Sequence, residues 1–268
     1  MFGAAVRDAR IFQIASLGGV LALQIAAFDL GADPLQAAVS ITATLATQAL
    51  FCGLLAIPFD WRSPLITALS LTLLLRAHDP LIWIAAGFLA MASKFLVRLG
   101  GKHVFNPACL AIVALLLLTD QVWVSPGLWG SAVWTGFLLA SLAALVLTRS
   151  NRLDTATAFF ATYTLLLLAR ALTLGDPIAI PLHQLQSGSL LLFGFFMITD
   201  PRSTPDDRAG RLLFASIVAV LAVELQYRWQ IRTGLFYALA IASPLVPIID
   251  RLRPAARFRW TAPQGHVA

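Results

Sequence analysis

Ser63-Pro64-Leu65-Ile66-Thr67-Ala68-Leu69-Ser70-Leu71-Thr72-Leu73-Leu74-Leu75-Arg76 is the stretch on which the fold turns. It is apolar enough for a membrane interior, and Pro64 suits a first helical turn. Yet its 14 residues, at 1.5 Å each, reach only about 21 Å against a hydrocarbon core of about 30 Å. Bare helix ends are not tolerated against lipid, so such a segment is expected as a half-helix packed inside a bundle.

Apolar runs extend outward from this stretch almost end to end. They divide into ten segments, 11–31, 37–57, 63–76, 80–98, 105–119, 128–147, 155–174, 187–199, 209–227 and 232–250, of which the third, fifth and eighth are short. Hydrophobic residues make up 59% of the 268, charged residues 12%, and the mean hydropathy is +0.82. These values define an all-α polytopic membrane protein with a single membrane domain, 1–268, and leave no room for a soluble domain. Met1 to Arg10 and the apolar stretch after it lack a small-residue cleavage site, and read as the first membrane helix rather than a signal peptide.

Cutting between the fifth and sixth segments leaves two halves of five, about 11–119 and 128–250, with a tail at 251–268. Each half runs long, long, short, long, then a segment with glycine or proline near its start. Because five is odd, the second half enters the membrane in the opposite orientation, the arrangement of an inverted repeat. Ser63 through Arg76 aligns with Ser187-Gly188-Ser189 through Thr199-Asp200. In such folds interrupted helices meet near the pseudo-two-fold axis and offer unpaired backbone groups to a ligand.

The net charge of +6 raises the question of nucleic acid. The basic residues, however, sit in short connections and form no contiguous face, so no nucleic-acid partner is expected. With both termini in the cytoplasm, 15 of the 19 Lys and Arg fall inside; only Arg76, Arg170, Arg228 and Arg232 fall outside. That split obeys the positive-inside rule. Cys52 and Cys109 lie within apolar segments without metal-ligand spacing, and read as core packing. His78, His183 and His266 have no second ligand at useful spacing, so no metal site is assigned. Glu224, the chain's one glutamate, sits beside Tyr227, Arg228 and Trp229 and reads as an interfacial residue, the alternative being part of a proton or cation route.

Two polar punctuations stand out within this apolar sequence. In Gly100-Gly101-Lys102-His103-Val104-Phe105-Asn106-Pro107-Ala108, Asn106 suits a helix cap and Pro107 the first turn. The free N–H groups there give partial positive charge beside Lys102 and His103, which welcomes a phosphate, a carboxylate or a flavin edge. The plain alternative is an ordinary cap with interfacial basic anchors. In Thr199-Asp200-Pro201, Pro201 stops the eighth segment and places Asp200 against backbone carbonyls. A carboxylate in that position requires a cation or a proton, from Arg202, Arg208 or the Lys102-His103 turn. A structural salt bridge and a functional one fit equally well. Gly100, Gly101 and Gly188 allow close backbone approach, which packing alone also uses.

At these motifs the chain resembles the NqrB/RnfD family, membrane subunits of the sodium-pumping NADH:quinone oxidoreductase and of the Rnf electron-transport complex. The residues that carry the resemblance are Ser93-Lys94, Gly101 through Ala108, Phe195-Phe196-Met197-Ile198-Thr199-Asp200-Pro201, Gly234-Leu235-Phe236-Tyr237-Ala238 and Pro247-Ile248-Ile249-Asp250. The resemblance implies a ten-helix inverted-repeat fold similar to that of urea transporters, in a bacterial inner membrane, passing electrons through flavins. Larger members carry an extracytoplasmic insertion, between segments five and six, whose threonine is esterified to FMN. Here that connection is only Thr119 to Gly127 and lacks the motif, so covalent FMN is not expected and the chain resembles a short RnfD-like subgroup. Thr155-Ala156-Thr157 looks superficially similar to the motif but opens segment seven on the cytoplasmic side.

The expected role is therefore a membrane electron-transfer subunit working with other redox subunits, with a non-covalent flavin (riboflavin or FMN) or a quinone held between the repeats. The expected cofactor-binding positions are Gly101, Lys102, His103, Asn106, Pro107, Ser187, Gly188, Thr199 and Asp200, with no catalytic residue assigned. Two alternatives use the same fold: a small-solute permease, and a membrane scaffold that anchors a partner enzyme.

Overall fold

The computed structural model describes residues 8–27, 33–125, 143–144 and 146–258. In chain order the elements of the first half are α1 (Ala9–Ala27), α2 (Pro34–Leu54), α3 (Arg62–Leu74), β1 (Leu75–Ala77), α4 (Pro80–Leu96), β2 (Arg98–Leu99), β3 (Lys102–His103), α5 (Pro107–Leu118) and β4 (Val122–Val124). Residues 146–150 are helical; most of the expected sixth segment, 128–147, lies outside the described residues. The second half continues with α6 (Leu153–Leu174), α7 (Ala179–Leu185), α8 (Gly188–Leu192), a π-helical turn (Phe193–Met197), α9 (Arg208–Tyr227), α10 (Gly234–Ala242) and α11 (Leu245–Leu252).

Helix starts follow directly from the sequence. Asp33-Pro34, Asp79-Pro80 and Asn106-Pro107 each place a capping side chain before a proline that needs no hydrogen-bond acceptor. The cap oxygens accept from Leu35 N at 2.8 Å, Leu81 N at 2.8 Å and Cys109 N at 3.0 Å. α1, α2, α6 and α9 are long and apolar enough to cross a membrane; α3, α4, α5 and the 188–197 segment are shorter. This is a multi-pass membrane protein.

The short helices α3 and α5 leave backbone ends within the bundle, and short strands satisfy them. β1 pairs antiparallel with β4, Arg76 opposite Trp123, and Ser125 N donates to Leu74 O at 2.8 Å. Arg76 is buried, and its Nη1 donates to Thr72 O at 2.7 Å and Leu75 O at 2.8 Å, which caps the last turn of α3. The third segment thus ends as a helix at Leu74, two residues before the expected limit. The tenth segment, expected as one span over 232–250, is bent by 44° between α10 and α11, at Ser243-Pro244. α7, in the connection before the eighth segment, was not anticipated.

Packing repeats across the halves. α2 packs on α4 and α4 on α5; in the second half α6 packs on α9 and α9 on α10. Each long pair is parallel. Gln48 and Lys94 join the ends of α2 and α4, whereas Asp154 and Arg211 join the starts of α6 and α9. The core holds Trp83 in the first half and Phe159, Phe193, Phe214 and Phe236 in the second, all fully buried. Phe193 lies 5.3 Å from the Phe159 ring and 5.7 Å from that of Phe236, so the π-helical turn is wedged between α6 and α10.

Candidate functional site

The ends of the interrupted helices converge on one chamber. α3 contributes Ser63, Thr67 and Ser70; the start of α5 contributes Asn106, Pro107 and Ala108. The eighth segment adds Phe195, Phe196, Thr199 and Asp200 from its far end. Arg10 and Gln13 of α1, the helical residues Val146, Leu147 and Ser150, and Pro201 and Arg202 close the remaining wall. The chamber has a volume of about 70 Å³.

Asn106 ties two of these ends together. Its Oδ1 accepts from Cys109 N at 3.0 Å, and its Nδ2 donates to Met197 O at 3.2 Å, filling a carbonyl at the end of the π-helical turn. Cys109 Sγ donates to Phe236 O at 3.3 Å, which links the same turn of α5 to α10. The loop after the π-helical turn is organised around Asp200. Asp200 Oδ2 lies 3.2 Å from His103 Nε2 and accepts from Ser203 Oγ at 3.1 Å, while Oδ1 accepts from Arg202 N at 3.1 Å. Burial pushes the Asp200 carboxyl up, but these hydrogen bonds, His103's foremost, outweigh burial and hold it below its ordinary value.

Lys102 faces elsewhere. β2 and β3 form a two-residue hairpin, Arg98 opposite His103 and Leu99 opposite Lys102, closed by Gly100 and Gly101 at φ +59° and +84°. That left-handed turn is where glycine is required. Successive strand residues point to opposite faces, so His103 lines the chamber while Lys102 lines a separate groove. Lys102 Nζ meets Thr204 O at 2.7 Å, Asp250 Oδ2 at 2.9 Å and Asp206 Oδ1 at 3.2 Å. The groove measures about 300 Å³ and runs along Leu99, Gly100, Pro247, Asp250 and Arg251, with Arg257 on its rim. Arg257 Nη1 lies 3.1 Å from the place a Cβ on Gly101 would occupy, so the tail rests on the bare glycine turn.

The expected site therefore divides in two. His103, Asn106, Pro107, Thr199 and Asp200 gather at the chamber; Lys102 and the glycine turn belong to the groove. Gly101 contributes its carbonyl, which accepts from Arg98 at 3.1 Å and Arg202 at 3.3 Å. Ser187 and Gly188 are at neither place. They open α8 at the opposite end of the eighth segment, about 15 Å of helix away, where Ser187 Oγ and Ser189 Oγ are 2.9 Å apart.

Residues outside the expected cofactor-binding positions complete the surroundings. Lys94 Nζ reaches Ser63 Oγ at 2.9 Å and Gln48 Oε1 at 3.1 Å. Arg152 donates to Thr204 Oγ1 at 3.2 Å, and burial pushes its guanidinium down to about 10. Arg211 Nη2 meets Asp154 Oδ2 at 2.6 Å. The signal for Lys94 was a charge in the last turn of an otherwise apolar helix, a place that topology alone also explains. The flavin expectation meets a size limit at the chamber: sites that enclose such ligands measure about 300–1,000 Å³, and 70 Å³ does not admit an isoalloxazine ring or a quinone head. The groove reaches the lower end of that range.

A bundle of apolar helices whose interrupted members meet at a buried polar junction defines an integral membrane protein of the broken-helix type. The chain belongs to the NQR2, RnfD, RnfE family, whose family model matches residues 118–259. It is similar to the D component of the ion-translocating oxidoreductase complex of Stutzerimonas stutzeri, 38% identical over 79 residues, which is 29% of this chain and 22% of that protein. The equivalent component from Escherichia coli O1:K1 is 34% identical over 97 residues, 32% of this chain and 26% of that protein. The one from Pectobacterium atrosepticum is 35% identical over 81 residues, covering 28% and 21%. The matched stretches thus span about a quarter or less of these relatives' length.

Proposed function

We propose that the chain is the RnfD-like membrane subunit of an electron-transferring complex in a bacterial inner membrane, working with other redox subunits. The observation that carries this reading is the bond between His103 and Asp200. It joins the Thr199-Asp200-Pro201 turn, inside the family match, to the Lys102-His103 turn outside it, so the two halves build one junction. The opposed directions of the long pairs support two inverted five-segment repeats around that junction: α2 and α4 end, and α6 and α9 begin, on its side of the bundle.

A redox group of this class, a non-covalent riboflavin, FMN or quinone, would supply one- or two-electron transfer. The groove is its place in this reading. Gly100 leaves one side bare of a side chain, Pro247 and Leu99 supply apolar wall, and Arg251 and Arg257 stand at the rim for an anionic edge. Lys102 is held between two carboxylates and keeps its position whether or not the rim arginines move. The protein purified from its own host is expected to show visible flavin absorbance, or quinone on extraction, without in-gel flavin fluorescence after denaturation. Absence of both, together with solute flux in proteoliposomes holding this chain alone, would replace this reading by the permease.

A further inference from the structure

We propose that the chamber between the half-helix ends binds one small monovalent anion, of the size of chloride, nitrate or formate, and rejects Na⁺. The proposal rests on the reading of the junction as a ligand site and goes beyond the redox role assigned to the groove.

Size comes first. A single water needs a cavity of roughly 10–15 Å³ and drug-sized ligands about 300 Å³ or more, so a 70 Å³ chamber suits a few waters or an ion of a few heavy atoms.

Charge comes next. Among the ionisable side chains on the wall, Arg10 is neutralised by Asp8 and Asp60. The one carboxylate on the wall, Asp200, already takes hydrogen bonds from His103, Ser203 and the Arg202 N–H. Two cations remain without an acidic partner in contact among the described residues. Arg202 donates only to the Gly101 carbonyl through its side chain. Lys94, immediately behind the wall, is held by two neutral oxygens, Gln48 Oε1 and Ser63 Oγ. A Na⁺ ion would meet the positive charges of Arg202 and Lys94, neither in contact with a carboxylate, and an acid whose lone pairs are largely spent.

The hydrogen-bonding balance points the same way. Because Ser63 Oγ accepts from Lys94, the Ser63 hydroxyl hydrogen is left over and polarised by the ammonium behind it. Asn106 spends one amide hydrogen on Met197 O and keeps the other. The Ala108 N–H, at the second position of α5, has no helical acceptor because it lies in the first turn. The side chains of Gln13 and Ser70, both on the wall, make no hydrogen bond among the described residues. A wall with spare donors, a cation behind one of them and an occupied carboxylate is an anion's coordination shell.

The experiment uses the full chain in detergent, in choline gluconate, with thermal unfolding followed by tryptophan fluorescence. Choline nitrate and choline chloride are expected to raise the midpoint along a saturating curve, and sodium gluconate to leave it unchanged. Ser63→Ala, which keeps the Lys94–Gln48 bond, is expected to weaken the apparent affinity about tenfold. Lys94→Gln is expected to weaken it further; if that variant does not fold, Ser63→Ala alone decides. Stabilisation by sodium gluconate would overturn the proposal, and so would an anion effect of equal size in wild type and Ser63→Ala, which marks ionic strength rather than a site. The flavin spectrum is read on the same sample before titration, so loss of the redox reading and loss of the anion site are separate results.

Discussion

At the scale of single residues, Asp200 carries the junction's electrostatics, and its behaviour with pH follows from the sign of its shift. The carboxyl is held below its ordinary value in the folded protein, so the unfolded chain binds the proton more readily. The stability it contributes is complete above the ordinary carboxylate value of about 4 and drains away as pH falls through the depressed folded value. Asp200→Asn is expected to cost about 2 kcal/mol at neutral pH, the usual worth of hydrogen bonds to a charged group, because His103 and Ser203 both lose their anionic acceptor. Thermal midpoints measured from pH 7 down to about pH 3 check this: wild type should lose midpoint below pH 4 and the variant should lose less. An identical acid limb in both proteins would remove Asp200 as its source. That Asp200 needs a basic partner was legible in the sequence, because a carboxylate beside helix-terminal carbonyls needs a counter-charge. Which of Arg202, Arg208, Lys102 and His103 supplies it was not. Two-residue strands are too short for any period to show, so nothing in the letters says that His103 and Lys102 point to opposite sides of the hairpin.

At the scale of elements, the helix starts were readable and the breaks were not. Asp-Pro and Asn-Pro announce α2, α4 and α5 chemically, through a cap oxygen and a proline without a donor. The bend at Ser243-Pro244 hides inside a run that stays apolar on both sides, since hydropathy reports the environment of side chains and is blind to the direction of the axis. The close approach of α2 and α4 is likewise silent in sequence. A Cβ on Gly87 would stand 2.9 Å from Ala43 Cβ and 3.0 Å from Thr44 N, so the two parallel helices are in backbone contact at that point. Neither neighbour can swing away, one being backbone and the other a methyl fixed to it. Gly87→Val is therefore expected to separate α2 from α4 and destabilise the protein by about 3 kcal/mol, at the upper end of overpacking costs. Because Gln48 on α2 and Lys94 on α4 hold one another, the same variant should also weaken anion stabilisation at the chamber, while Gly18→Val in α1, which meets open space, should do neither.

At the scale of the whole molecule, the direction of the two halves is the property on which the site depends. The charge split between loops was legible at once, and the hydrogen bonds agree with its grouping: Arg10, Lys94, Lys102, Arg152, Arg202 and Arg211 belong to the surroundings of one junction. Arg170 and Arg228 lie toward the other ends of α6 and α9, with Asp176 and Glu224. Only a second half that enters the membrane upside down brings the far end of the eighth segment to the near end of the third, and so places Asp200 and Ser63 on one chamber. Labelling with a membrane-impermeant maleimide tests this directly, because the native Cys52 and Cys109 are buried and stay silent. Arg98, Gln121, Arg208 and Arg228 are all exposed positions that tolerate cysteine. Gln121→Cys and Arg228→Cys should react in intact spheroplasts, and Arg98→Cys and Arg208→Cys only after permeabilisation. Arg98 and Gln121 follow α4 and α5 in the first half, and Arg208 and Arg228 stand at the two ends of α9 in the second. If Arg208→Cys reacted from outside while Arg98→Cys stayed protected, the two halves would run in the same direction; no single chamber could then be shared between them.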